Sequence, residues 1–236
     1  MLTIDFNRFK MQDGDRVLDL GCGVGRHVIT AYTLKNVQSV GVDICLNDLK
    51  TANERFKSEF EEEGNDVKSF GLSVADGLSL PFTDHCFDKI ICSEVLEHIP
   101  DYLSVLTEIN RVLKPGGIFA ASVPRYFPEW ICWKLSEEYH NEEGGHIRIF
   151  NATKLCRDIE EHGFVFFKRH WAHALHVPYW WMQCLFWSKR ETSRLVKAYH
   201  RFLVWDLIKK PFLTRFLDHV LNPLIGKSVV MYFKKE

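Results

Sequence analysis

The chain has 236 residues, 46% of them apolar, with 30 Lys and Arg against 31 Asp and Glu for a formal net charge of −1. That length and apolar fraction suit one folded domain with an elaboration and argue against a disordered or low-complexity chain. Seven cysteines at irregular spacing, with no C-x-x-C pair, argue against a disulfide framework and for reduced thiols in a cytoplasmic setting.

The opening residues Met1-Leu2-Thr3-Ile4-Asp5 lack an apolar h-region, so no secretory signal is expected. Apolar runs of strand length then alternate with helical patterns, which predicts a parallel α/β sheet. The first strand is read at 16–20, followed by a turn with glycines at 21, 23 and 25 and a helix over 26–34. Glycine permits positive φ and a close approach of ligand to backbone at the start of a helix. A second strand at 39–42 ends on Asp43. A helix over 46–62 carries Leu49, Ala52, Phe56 and Phe60 on one face. Strands follow at 68–73 and 87–92, with Pro81-Phe82-Thr83-Asp84 as a turn between them. A helix over 102–113 is expected to stop at Lys114-Pro115-Gly116-Gly117, before a strand at 118–123. Residues 124–145 read as a loop. Asn151 reads as the cap of a helix ending at His162-Gly163, and a strand follows at 164–169. The closing strand, 228–233, is expected to lie antiparallel beside it. Residues 171–227 would then be a helical insertion between the last two strands, and 1–170 plus 228–236 one domain.

Charge is unevenly divided along the chain. Residues 168–236 hold 13 Lys and Arg against 4 Asp and Glu, and the first 167 hold 17 against 27, so the C-terminal third suggests a partner of its own or a solvated basic face. The stretch 170–188 has no Asp, Glu, Lys or Arg, yet its three histidines, Pro178 and Gln183 make it a poor membrane span. His170, His173 and His176 repeat every third residue. Without a nearby Cys, Asp or Glu they read as surface or cavity-lining groups rather than metal ligands.

Four acids leave the ends of predicted strands: Asp19, Asp43, Asp76 and Glu94. Ligands of open parallel sheets bind at strand carboxyl ends, where an acid after the second strand can take both hydroxyls of a ribose. The stretches V-L-D-L-G-C-G-V-G-R (17–26), G-V-D-I (41–44), A-D-G-L-S-L-P-F (75–82), F-D-K-I-I-C-S-E-V-L-E-H-I-P-D (87–101) and E-I-N-R-V-L-K-P-G-G (108–117) resemble the class I S-adenosylmethionine-dependent methyltransferases, most closely the quinone-biosynthesis branch. The resemblance implies a doubly wound, Rossmann-like, seven-stranded and mostly parallel sheet with an antiparallel last strand. It implies that Gly21, Cys22 and Gly23 hold the methionine part of the cofactor with Asp19 beneath. Asp43 would take the ribose, Ile44 the adenine, Asp76 with Ala75 the adenine amine, and Ser93 with Glu94 the sulfonium region.

The E-x-x-E-H run at 94–98 also resembles a magnesium motif of methyltransferases that act on catechol intermediates or on RNA 3′ ends. Glu94, Glu97, His98 and His146 would then surround Mg2+ or another divalent ion, although this donor set also suits manganese or iron. Without a metal, His146 and Glu94 are the candidate catalytic groups. The insertion holds five of the seven tryptophans, with Leu195, Phe202, Leu203 and Leu207 set between Arg194, Lys197, Arg201, Lys209 and Lys210. It is read first as a lid, second as a membrane-surface element and third as an RNA contact. The expected function is methyl transfer to an oxygen or carbon of a small apolar acceptor. RNA 2′-O-methylation and a cofactor-binding assembly protein without catalysis are the alternatives.

Overall fold

The computed structural model describes residues 2–60, 68–142 and 144–236. Seven strands form one sheet: β1 (Arg16–Leu20), β2 (Gln38–Asp43), β3 (Ser69–Val74), β4 (Phe87–Ser93), β5 (Leu113–Pro124), β6 (Phe164–Ala172) and β7 (Ser228–Lys235). Their spatial order is β3-β2-β1-β4-β5-β7-β6. Pairings from β3 to β5 are parallel, and β7 runs antiparallel between β5 and β6. Strand order reverses between β1 and β4, so the carboxyl ends of these two strands frame the crevice where ligands of such sheets bind.

The sheet is buried on both sides because its side chains alternate with period two. On one side Leu18, Ile90, Phe119, Met231 and Phe233 pack with Val105, Leu106 and Ile109 of α4 (Tyr102–Val112). On the other, Val17, Ile91, Ala120, Val230 and Tyr232 pack with Ala31 of α2 (Arg26–Leu34) and with Phe9 of α1 (Phe6–Phe9), a one-turn helix capped by Asp5. The third large helix of this half, α3, spans Leu46–Phe60 and buries Leu49 and Ala52 against β2 and β3. The predicted end of that helix, at residue 62, lies outside the described residues.

Three expectations are corrected. Residues 124–145 are not a loop: α5 (Tyr126–Leu135) and α6 (Glu137–His140) occupy most of them. Apolar residues lie all round α5 rather than on one face, and Pro128 falls in its first turn, where proline is tolerated. Lys114-Pro115-Gly116-Gly117 is not a turn ahead of the strand. It is a bulge inside β5, which pairs Leu113 with Phe87 and then Ile118 with Lys89, while Lys114 bonds Asp88 across the bulge at 2.7 Å. The outer strands also run further than expected, β6 to Ala172 and β7 to Lys235.

α7 (Ala152–Glu160) is capped by the Asn151 side chain, which accepts from the amides of Thr153 and Lys154. Between β6 and β7 come a 3-10 turn at Ala174–His176, α8 (Val177–Leu185), a second 3-10 turn at Trp187–Lys189, α9 (Arg194–Lys209) and α10 (Phe212–Ile225). The buried face of α9 is Val196 and Leu203, whereas Leu195 and Leu207 of the predicted apolar set are exposed. Among the described residues no helix is long and apolar enough to cross a membrane.

Candidate active site

The glycine turn after β1 is pinned from below: the amides of Gly21 and Cys22 both donate to the carbonyl of Val42, at 2.8 and 3.0 Å. Gly21 has φ +69°, and a Cβ there would run into Val95. The position therefore needs glycine for backbone conformation and for space. Asp19 lies fully buried under the turn, where its Oδ2 accepts from the Val28 amide of α2 at 3.0 Å. Burial raises its pKa to about 7, against the lowering effect of that hydrogen bond. Burial also pushes the Cys22 thiol up, so it is a neutral group here.

Asp43 ends β2 and ties the turn to the next strand, its carboxylate accepting from Gly23 N at 2.8 Å and Cys45 N at 2.8 Å. Ile44 is 74% exposed, and Val74, the register partner of Asp43 on β3, is 52% exposed. Both aliphatic side chains are open to solvent, Ile44 next to Asp43 in the chain and Val74 two residues before Asp76. Asp76 is exposed and holds its own turn through Oδ1 to Leu78 N at 2.9 Å, with Ala75 half-buried beside it. An acid beneath the first strand's turn, an acid at the end of the second and exposed aliphatic side chains beside it fit an adenosine-bearing cofactor.

The second half of the site follows β4. Ser93 shares a 2.8 Å hydrogen bond with Ser122 on the neighbouring strand, and Ser122 Oγ donates to Glu94 Oε1 at 3.0 Å. Glu94 has φ +57° and is held there by its amide bond to Ser122 O at 2.9 Å. Its other oxygen lies 3.9 Å from Lys227 Nζ. Beyond it, the turn 95–98 is stapled to the segment 145–147: Ile147 N donates to Glu97 O at 3.1 Å, and His98 Nδ1 lies 3.1 Å from Gly145 O.

That staple brings His146 into the site. Its Nδ1 is 2.7 Å from Glu129 Oε1, which also accepts from Tyr139 OH at 2.9 Å. Burial works to raise the Glu129 carboxyl, but the bond and charge of His146 hold it below its ordinary value. An ionised carboxylate can only accept, so Nδ1 donates to Glu129 and Nε2 is the ring nitrogen turned away from it. Nε2 lies 4.0 Å from Glu97 Oε1. Glu97 is fully buried, among the described residues neither of its carboxyl oxygens has a hydrogen-bond partner, and burial, helped by the charge of Glu94, raises its pKa well above the usual range.

Glu97, His98 and His146 each offer one ligand atom, and the three atoms lie within 4.8 Å of one another. Glu94 is not in that group; its oxygens face Ser122 and Lys227. A cavity of about 390 Å³ is lined by Glu94, His98 and His146 together with Tyr139, Trp180 and Lys227, while Glu97 lies buried behind its wall.

Sequence reading missed Glu129, Tyr139, Ser122, Trp180 and Lys227 as site residues. A lone acid in the apolar run 126–133 is the one signal that could have found Glu129. His173 is largely buried but lines the site cavity and an adjoining one of about 410 Å³, which His170 and His176 also line. Among the described residues these three form no metal-ligating group.

A family model described as a methyltransferase domain matches residues 3–167. The chain is 34% identical over 111 residues to 27-O-demethylrifamycin SV methyltransferase of Amycolatopsis mediterranei, covering 47% of this chain and 39% of that protein. It is 34% identical over 147 residues to the sterol 24-C-methyltransferase erg6 of Aspergillus fumigatus, covering 61% and 35%. It thus spans well under half the length of these relatives. A methyltransferase structure from Bacillus halodurans, itself described as unproven in function, superposes with a TM-score of 0.64 at 21% identity, covering 98% of this chain and 96% of the other. With the family model spanning most of the sheet and the acids at its strand ends, the chain belongs to the S-adenosylmethionine-dependent methyltransferases of class I fold.

Proposed function

We propose that the chain transfers a methyl group from S-adenosylmethionine to an oxygen or carbon of a small, largely apolar acceptor, with His146 as general base. The observation that carries this reading is the Tyr139–Glu129–His146 relay, which fixes a half-buried imidazole in the wall of the cavity with its Nε2 turned away from Glu129. When bound, the cofactor supplies a methyl group on a sulfonium whose thioether is already a good leaving group. The chain has two tasks: to align the acceptor behind that methyl and to remove its proton. Asp19, Gly21, Cys22 and Gly23 would hold the methionine part. Asp43 would hold the ribose, Ile44, Ala75 and Asp76 the adenine, and Ser93 and Glu94 would face the sulfonium.

The aromatic side chains of Tyr139 and Trp180 suit a ring-like acceptor body, and Glu94, His146 and Lys227 suit a polar acceptor atom. Relatives named as a 27-O-demethylrifamycin SV methyltransferase and a sterol 24-C-methyltransferase support methyl transfer to an oxygen or carbon of a non-polymeric acceptor. Residues 171–227, which supply Trp180 and Lys227, would serve as the lid over the acceptor.

A divalent ion is the second reading, favoured by the two orphaned oxygens of Glu97 beside two imidazoles. Glu97, His98 and His146 would hold it and Glu94 would stay outside. Two nitrogens and a carboxylate suit manganese or iron better than magnesium. Such an ion would supply Lewis-acid activation of an acceptor oxygen.

The test is calorimetry with S-adenosylmethionine followed by transfer of labelled methyl to a panel of phenols, quinols and sterols. Binding is expected, weakened at least tenfold in Asp43→Ala. His146→Ala should lose about 10²–10⁴ in turnover with cofactor affinity unchanged. No cofactor binding by the unaltered chain would end the proposal, and labelling of RNA alone would replace its acceptor. Activity that survives both chelation and Glu97→Gln would remove the metal.

A further inference from the structure

α10 is turned inside out. Its inward face carries three polar side chains beside half-buried Leu221 and Ile225: Thr214 is buried, Asp218 accepts from Leu175 N at 3.1 Å, and Asn222 accepts from Ala174 N at 2.9 Å. Its outward face is apolar. Phe212, Phe216, Val220 and Leu224 recur every fourth residue at 84, 54, 47 and 66% exposure, with Leu213 beside them at 65%. A helix on the surface of a water-soluble domain has the opposite arrangement, and a stripe of this kind marks a surface that meets another apolar phase.

α9, which precedes it in the chain, has an outward face whose chemistry changes along its length. Arg194, Lys197, Arg201, Trp205 and Ile208, at helical spacing, lie opposite the buried Val196 and Leu203. The first half of that face is cationic and the second half apolar. Arg194, Lys197 and Arg201 also line a groove of about 860 Å³ with Arg190 and His200, where among the described residues Glu191 is the one acid against four Lys and Arg. Lys209 and Lys210 are exposed at the corner, and Lys210 takes φ +48° so that α10 turns away from α9. The acid of α9, Asp206, is half-buried with a carboxyl oxygen sealed from water.

We propose that the outward faces of α9 and α10 dock the protein on an anionic lipid bilayer. The aromatic and aliphatic side chains of α10 would enter the interface, and the basic half of α9 with Lys209 and Lys210 would meet the headgroups. Charge decides between the occupants. An apolar stripe rimmed by cations would repel its own copy across a two-fold axis, whereas an anionic surface attracts it. With 14 residues, α10 extends about 21 Å, too short for a hydrocarbon core of about 30 Å. It therefore lies in the interface without spanning it.

Cosedimentation of the full chain with vesicles of phosphatidylcholine containing about a third phosphatidylglycerol tests the proposal. Binding should fall at least tenfold on pure phosphatidylcholine, and at least tenfold in the double variant Phe212→Ser/Phe216→Ser. In the triple variant Arg194→Gln/Lys197→Gln/Arg201→Gln it should drop to the level seen on phosphatidylcholine. These side chains are exposed, so circular dichroism should be unchanged in both variants. Absence of binding to the anionic vesicles overturns the proposal, as does binding indifferent to both variants. So does a dimer in vesicle-free solution that Phe212→Ser/Phe216→Ser dissolves, which would assign the face to a second copy. Cofactor calorimetry and the labelled-methyl assay report separately on cofactor binding and methyl transfer, so either inference can fail alone.

Discussion

Glu129 lies on α5, is 3% exposed, and takes two hydrogen bonds on one carboxyl oxygen, from His146 and Tyr139. A buried carboxylate is costly unless its partners are fixed, so this acid makes sense as the group that sets the tautomer and ring plane of His146. It touches the base and not the acceptor, which makes it a positioning residue. Glu129→Gln keeps an oxygen acceptor but removes the charge that steadies an imidazolium. The expected loss is about tenfold to hundredfold in kcat, with KM for the cofactor unchanged and partial recovery in Glu129→Asp. A merely structural role would move Tm and KM together and leave no such split. Tyr139→Phe, which deletes the second donor and keeps the ring, should lose less than Glu129→Gln.

At the scale of elements, α4 carries the clamp that shapes the loop after Asp76. Arg111 reaches out of the last turn of α4 to the carbonyls of Leu80 and Phe82 at 3.0 and 2.7 Å and to Asp84 at 2.9 Å, while Glu108 both pairs with it at 2.7 Å and accepts from Leu80 N. Arg111→Met keeps the aliphatic stem but leaves Glu108 and two carbonyls without their donor. A loss of about 2 kcal/mol in urea unfolding is expected, together with weaker cofactor binding through the loosened 76–84 segment. Equal cofactor affinity in the variant would show the clamp to be purely structural.

The motifs around this clamp were legible because each is local. The glycine turn, the acid at the end of β2 and the E-I-N-R-V-L run lie within single strand–turn–helix units, so β1 and α2 match the bounds read from sequence. α5 was not legible, since its apolar residues lie all round and give no periodic face. Glu129 was missed with it. Lys227 and Trp180 reach the cavity only through the packing of the insertion, and nothing in their own neighbourhood signals that. The motif at 94–98 was legible as a motif, but its donor set was not. The left-handed backbone of Glu94 sends that side chain toward Ser122 and leaves Glu97, His98 and His146 as the cluster.

For the molecule as a whole, the N-terminal segment fastens the insertion to the sheet, and histidines do the fastening. His27 Nε2 accepts from the amides of Thr3 and Ile4 at 3.2 and 3.4 Å, His173 Nε2 meets Thr3 Oγ1 at 3.3 Å, and Tyr232 OH accepts from Asp5 N at 2.9 Å. Burial lowers His27 to about 3 and His173 well below 6.5, and it lowers His170 and His176 to about 4. Each of these groups is neutral in the folded chain and charged in the unfolded chain once pH drops below about 6.5. Their contribution to stability is therefore present above 6.5 and lost as pH falls toward the folded values. Asp19 and Glu97 act in the opposite sense. Their raised values favour the folded chain when protonated, and that contribution is lost as pH rises, for Asp19 between about 4 and 7. Four histidines outweigh two acids, so stability should rise between pH 5 and 6.5 by about 1–3 kcal/mol per pH unit after discounting the part-exposed rings. Single variants separate the two sets. His27→Gln, which keeps an acceptor for Thr3 and Ile4, should flatten the rise by about 1.4 kcal/mol per pH unit, and Asp19→Asn should steepen it by a similar amount. Urea unfolding across that range reads both, and a slope unchanged in His27→Gln would mean that the histidine clasp does not open with acid.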